Sequence, residues 1–238
     1  MAERQFAQGF AQRLAQRRLM IGVLLLALLG IIQGAPLAGI IEFEKLRRLA
    51  AERFGPDAVN AVQDWEAFVA SRSADPILSK LQTTNDFFNE RIRWSSDERI
   101  YGIEDYWATP LETLGKQEAD CEDFTIAKYV TLLALGVDPK SLRLIYVKAQ
   151  RPGGASQAHM VLAWYETPAA APLILDNINT LVLPAARRQD LTPVFSFNAD
   201  DLWISGATQP SKANPLQRLS RWQQVLERIV EEGFRATW

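Results

Sequence analysis

Ala119-Asp-Cys-Glu-Asp-Phe-Thr-Ile-Ala-Lys-Tyr129 holds the one cysteine of the chain and opens its strongest helical signal. Phe124, Ile126, Ala127, Val130, Leu132, Leu133 and Leu135 nearly encircle a helix. Such a helix is predicted to be buried on all sides. Asp120 precedes it, and Gly136 is a fitting stop at its end. Downstream the period changes. Leu142–Val147, His159–Tyr165 and Leu173–Asp176 read as strands, punctuated by Arg151-Pro-Gly-Gly154 and Thr167-Pro-Ala-Ala-Ala-Pro172. Val194–Phe197 and Leu202–Ile204 are candidate short strands. Upstream, apolar residues recur at helical spacing over 42–70, with a break at Gly55-Pro56, and again from Pro76 to Ile92. Ser95–Glu98 reads as a loop, Pro110 opens a short helical stretch, and Leu216–Glu232 reads as a closing amphipathic helix. Helices first and antiparallel strands after them predict an α+β fold.

Three polar residues stand out against this frame. Cys121 lies at the helix start, His159 (the one histidine) opens an apolar strand, and Asp176 interrupts the next apolar run. Cysteine, histidine and aspartate on helix, strand and strand are the order that a nucleophilic thiol site needs. The thiol requires a base within hydrogen-bond reach, and the base requires a carboxylate that holds its tautomer. Each residue alone has a plainer reading: a small buried hydrophobe, a satisfied core histidine, a strand end. The neighbours of Cys121 argue against the first, because an interior thiol does not normally sit among Asp120, Glu122 and Asp123.

Those carboxylates also pose a problem. A helix N-terminus lowers a thiol pKa and offers N–H groups to an oxyanion, the Cys121 N–H among them. Nearby negative charge does the opposite. Acidic residues in a first turn complement the helix dipole, but three beside a nucleophile exceed what capping requires. A bound divalent cation would remove the conflict, and all-oxygen ligands suit calcium better than a transition metal.

The chain has 238 residues, with 26 Lys+Arg against 28 Asp+Glu and a net charge of −2. No basic stripe lies beyond the N-terminus, so nucleic acid is not an expected partner. One cysteine excludes an intrachain disulfide, and one cysteine with one histidine excludes the usual zinc patterns. Arg4, Arg13, Arg17 and Arg18 precede the apolar run Leu19–Ile32. This is the pattern of a secretory signal. As a helix the run would span roughly 21 Å, short of the roughly 30 Å hydrocarbon core. Extended to Ile41 it would span the core as an anchor over 19–41, at the cost of including Gln33, Gly34 and Pro36. The expected organisation is therefore 1–41, signal peptide or signal anchor, and 42–238, the functional domain in the periplasm.

Several separated segments, from about Asn85 to Trp203, together resemble the bacterial transglutaminase-like cysteine proteinases. They are Phe87-Phe-Asn-Glu-Arg-Ile-Arg-Trp94, Asp105-Tyr-Trp-Ala-Thr-Pro110, Asp120–Tyr129, Ala158-His-Met-Val-Leu162, Leu175-Asp-Asn177 and Pro193-Val-Phe-Ser-Phe-Asn198. One departure is Gly115-Lys-Gln-Glu-Ala-Asp-Cys121, a longer approach to the cysteine than such sequences commonly have. The resemblance implies a papain-like, transglutaminase-like core in which the nucleophile helix packs on an antiparallel sheet, with helices N-terminal to it. It implies a calcium-dependent endopeptidase acting near the N-terminal region of a large secreted adhesin, and so controlling biofilm attachment. It further implies sequestration by an inner-membrane receptor for cyclic di-GMP. Calcium would be held by Asp120 and Glu122, with Asp123 as a third ligand.

On this reading Cys121 is the nucleophile, His159 the general base and then acid, and Asp176 the orienting carboxylate. Trp107 is a candidate side-chain donor to the oxyanion. Two alternatives use the same residues differently: acyl transfer to an amine, as in true transglutaminases, and a non-catalytic exported binding module.

Overall fold

The computed structural model describes residues 40–235, apart from 152, 205–208, 212 and 213. The expected signal or anchor over 1–41 therefore lies outside the described residues, except for Ile40 and Ile41. Among the described residues, no helix is long and apolar enough to cross a membrane.

The expected 42–70 stretch is two helices, α1 (Phe43–Arg53) and α2 (Pro56–Arg72). Gly55, at φ +90°, turns the chain between them, and Pro56 begins α2 where a missing N–H costs nothing. α3 (Ile77–Arg91) follows Pro76 and leads into a two-residue strand, β1 (Arg93–Trp94). The expected loop at 95–98 is partly helical, because α4 (Asp97–Tyr101) starts inside it. α5 (Pro110–Lys116) opens on a capping box: Thr109 Oγ1 accepts from the Glu112 N–H, and Glu112 accepts from the Thr109 N–H. Gln117 then adopts a left-handed conformation, φ +54°, and β2 (Glu118–Ala119) pairs in parallel with β1. That short ladder takes up the long approach to Cys121. It lies beyond the reach of periodicity, since two residues carry no period.

α6 (Cys121–Ala134) is the buried helix that the sequence predicts, and every residue from Glu122 to Ala134 is buried. It packs against a six-stranded sheet of β3 (Leu142–Gln150), β4 (Ser156–Trp164), β5 (Leu173–Leu175), β6 (Leu183–Pro184), β7 (Leu191–Phe197) and β8 (Leu202–Ile204). The order is β6-β5-β4-β3-β7-β8, and every pair is antiparallel. Strand alternation divides the apolar residues between two faces. Leu142, Leu144, Met160, Leu162, Leu175 and Phe197 join the helices in the main core. Ile145, Val147, Val161, Ala163 and Ile174 form a second cluster on the other face.

The closing helix is interrupted at Leu219, giving α7 (Pro215–Arg218) and α8 (Ser220–Glu232). Trp222 of α8 is fully buried against Phe197, Tyr129 and Trp107, and its indole N–H donates to Asn198 O at 3.1 Å. The residues just before α1 are tied to the chain after α8. Ile41 is buried and bridges Phe234, and Arg235 N donates to Ile40 O at 2.7 Å.

α6 also buries a lysine. Lys128 is 1% exposed, and its Nζ donates to Asn89 Oδ1 of α3 at 2.8 Å. Burial pushes its pKa down to about 7, against the opposing charges of Asp176 and Asp86. In the unfolded chain a lysine titrates near about 10.4. Between those values the unfolded state binds more protons, so this lysine makes stability rise with pH across that window. Lys128→Met should abolish that rise. Urea unfolding at pH 7 and pH 9 should show the stability of the variant, relative to wild type, falling by roughly 1–2 kcal/mol at the higher pH. A difference that does not change with pH would show that Lys128 stays charged in the folded protein.

Candidate active site

The N-terminus of α6 is fixed against β4. Thr125 Oγ1 lies 2.8 Å from Cys121 O and 3.2 Å from Met160 O, so one hydroxyl ties the first helical turn to the strand next to His159. Cys121 and His159 line one cleft of about 360 Å3, together with Trp94, Tyr146, Arg151 and Ile178. Trp94 and Ile178 are more than half exposed and give the cleft an apolar rim.

Behind His159 stands Asp176. The two are 2% exposed, and His159 Nε2 lies 2.8 Å from Asp176 Oδ1. Assigning the proton to Nε2 leaves Nδ1 as the free acceptor of the ring. The same Oδ1 accepts from the Ile178 N–H at 3.0 Å, and Oδ2 accepts from Arg188 Nη2 at 2.6 Å. Burial alone would raise the Asp176 pKa. The bond to His159, the charge of that ring, the Ile178 N–H and Arg188 outweigh it and hold the carboxyl well below the usual range. Asn89 Nδ2 donates to Asp176 O at 2.8 Å, and Lys128 holds Asn89 in turn. All three residues of the predicted constellation are therefore gathered around one cleft.

The acidic residues divide. Asp120 and Asp123 converge with Asp97, one carboxylate oxygen of each lying within 4.8 Å of the others. Asp97 Oδ1, Asp120 Oδ1 and Asp123 Oδ2 are buried and have no hydrogen-bond partner, whereas Asp97 Oδ2 accepts from the Tyr106 N–H and Asp123 Oδ1 from the Ala108 N–H, each at 2.6 Å. The expected ligand Glu122 is not in this group. Its carboxylate accepts from Cys121 Sγ at 2.7 Å. Burial, then mutual repulsion, pushes the Asp120 pKa up to about 10, and burial carries Asp123 well above its ordinary value. Asp97 is raised to about 6, chiefly by burial. Burial and the charges of Glu122 and Asp120 likewise push the Cys121 thiol well up. Three carboxylates that converge through one oxygen each, and that each carry a buried oxygen without a hydrogen-bond partner, form a donor set that fits a hard divalent cation.

Trp107, the candidate oxyanion donor, is committed elsewhere. Its Nε1 donates to Asp105 Oδ1 at 3.0 Å, and its ring stacks on Phe197 in the core. Asp97 and Arg188 were beyond sequence reasoning. Asp97 reaches Asp120 through the β1–β2 ladder, in which Ser95 N donates to Ala119 O at 2.9 Å. Arg188 follows a three-residue helical turn, Ala185–Arg187, with no periodic signal. A lysine inside an all-round apolar helix was the one visible hint of the Lys128–Asn89–Asp176 chain.

The sequence profile of the bacterial transglutaminase-like cysteine proteinases matches residues 60–190, more than half of the chain. No curated protein matches. Among solved structures, Legionella pneumophila LapG superposes with a TM-score of 0.68 at 36% identity, covering 82% of this chain and 99% of LapG. Its EGTA-treated form gives 0.69 at 36% identity, covering 82% and 100%, and its calcium-bound form gives 0.69 at 36% identity, covering 79% and 99%. With this fold, an extensive likeness at that identity and a profile match that runs through Cys121, His159 and Asp176, the chain belongs to the bacterial transglutaminase-like cysteine proteinases.

Proposed function

We propose that the protein is a calcium-dependent endopeptidase with Cys121 as nucleophile, His159 as base and acid, and Asp176 as the orienting carboxylate. The observation that carries this reading is the 2.8 Å bond from His159 to an ionised Asp176, behind the cleft where Cys121 opens. His159 Nδ1 takes the thiol proton and the sulfur attacks the peptide carbonyl carbon. His159 then returns the proton to the departing amine, leaving an acyl-enzyme. Water, deprotonated by the same imidazole, cleaves the thioester and restores the thiol. The α6 N-terminus, including the Cys121 N–H, faces the developing oxyanion. Cys121→Ser and His159→Ala should each abolish cleavage while leaving the melting temperature within a few degrees. Asp176→Asn should slow turnover by about 10^4 by favouring the wrong tautomer. Peptide cleavage at the wild-type rate by Cys121→Ser would end this reading.

Asp97, Asp120 and Asp123 are the residues that would hold calcium. Bound there, the ion supplies positive charge beside the thiol. Glu122, in contact with Cys121, adds to the negative potential that favours a cation. The fit of the three carboxylate oxygens supports this assignment, and so does a calcium-bound form of the 36% identical LapG. Calorimetry on metal-stripped protein should show calcium binding that Asp97→Asn or Asp120→Asn weakens at least about tenfold, roughly one lost charge-assisted ligand. Cys121→Ser should still bind. Unaltered calcium affinity in both aspartate variants would place the ion elsewhere.

The basic N-terminus and the apolar run Leu19–Ile32 support action in the periplasm, as a cleaved or anchored export product. The family resemblance supports a large secreted adhesin as substrate, cut near its N-terminus to release it and control biofilm attachment, with an inner-membrane cyclic di-GMP receptor as the inhibitory partner. Because Ile41 is part of the folded core, the enzyme for assay should begin at Leu37. Incubated with an adhesin N-terminal fragment and a labelled amine, it should produce new peptide termini. Amine incorporation without new termini would mark an acyl transferase instead.

A further inference from the structure

A second cavity, of about 330 Å3, lies on the face of the sheet turned away from α6. Its walls include Ile145, Val147, Val161 and Ile174 of the second apolar cluster. That volume suits a small molecule. Arg143 also lines it and is 8% exposed. Its guanidinium carbon lies 3.8 Å from the centroid of the Trp203 ring and 4.2 Å from that of Tyr165, whose hydroxyl is also within its reach. No carboxylate among the described residues forms an ion pair with Arg143, and its Nε is buried without an acceptor. Arg188, the other cation of the cavity, is already matched by Asp176 and Asp190.

A buried cation with no counter-ion has lost its hydration and gained little in return. The two ring faces restore part of that loss through the attraction of their π-clouds. They leave Nε without an acceptor, and Nε with one Nη is a fork that a carboxylate fills with two parallel hydrogen bonds. One unpaired positive charge calls for a monoanion. A phosphate would bring a second negative charge toward Asp176 and Asp190. The apolar walls call for a hydrocarbon tail.

We propose that this cavity binds a small amphipathic monocarboxylate, paired with Arg143 and covered by the apolar wall of the second cluster. Arg188 lines the same cavity and holds Asp176 Oδ2, so the ligand would lie one side chain from the triad. The inference stands apart from the proteolytic reading, because binding is measured without turnover.

The test is a titration of the full chain with octanoate, and with 1-octanol as the uncharged control, followed by calorimetry and by intrinsic tryptophan fluorescence, to which Trp203 at the cavity contributes. Octanoate should bind one-to-one and at least tenfold more tightly than octanol. Arg143→Gln, shown by its melting curve to be folded, should lose that preference while binding octanol as before. Arg143→Lys should keep part of it. A measurement on the wild type needs no variant: the Arg143 Nε–H proton resonance should move on adding octanoate and stay in place with octanol. Equal affinities, no saturable binding at millimolar octanoate, or an unchanged preference in folded Arg143→Gln would overturn the proposal. Arg143 would then be only a stacked cation that joins β3 to β8.

Discussion

Cys121 has to lose a proton while surrounded by Asp97, Asp120, Glu122 and Asp123. Two unit charges 4 Å apart interact by about 4 kcal/mol at an effective dielectric constant of 20. A helix N-terminus returns about 0.3–1 kcal/mol to an anion. The helix start therefore cannot offset even one such neighbour, and the thiol is pushed up, first by burial and then by the charges of Glu122 and Asp120. The surroundings follow from that imbalance. Three of the carboxylates bring an oxygen together within 4.8 Å and each keep one buried oxygen unpartnered, while the fourth takes the Sγ–H. Buried carboxylate oxygens without donors are normally a defect in a folded protein. Here they are gathered by two separate backbone devices, the β1–β2 ladder and the first turn of α6, and that points to a counter-charge.

Asp176 is treated in the opposite way. It is as buried as Asp97 and Asp123, yet each of its oxygens meets a donor and the carboxyl stays ionised. Charge-assisted hydrogen bonds are worth about 1.5–3 kcal/mol each. With three of them the desolvation of one carboxylate is outweighed, and the imidazole is left facing a fixed negative charge. The two acidic groups of the site thus differ in donor supply rather than in depth.

α6, the antiparallel strands and the Cys121, His159 and Asp176 positions were legible because each carries a local signal. The helix is apolar all round, the strands are apolar runs bounded by turn residues, and the three residues mark the start of that helix, the start of one strand and a break in another apolar run. Asp97 was not legible, because a two-residue parallel ladder brings it to Asp120 and has no pattern of its own. The role of Glu122 was not legible for a related reason. Spacing places it beside Cys121 but cannot say whether its carboxylate turns to a metal cage or to the sulfur. Trp107 was read as a donor to the cleft, whereas the aromatic core around Trp222 claims its ring. β6 was missed because it has two residues, one of them proline.

What sets the triad is the place where a strand stops. The β4–β5 register, Leu162 opposite Leu175, would continue to set His159 across from Ile178. The ladder ends at Leu175 instead, and the Asp176 side chain accepts the Ile178 N–H in an Asx turn. That turn swings the carboxylate toward His159 Nε2. Leaving the ladder would strand the Asp176 carbonyl, but Asn89 of α3 supplies its donor, and Lys128 of α6 orients Asn89. The bend is thus held from the helical layer through Asn89 and from beyond the sheet through Arg188. Asn89 fixes the backbone carbonyl, while the Ile178 N–H and Arg188 fix the two carboxylate oxygens, and together they present Oδ1 to the imidazole.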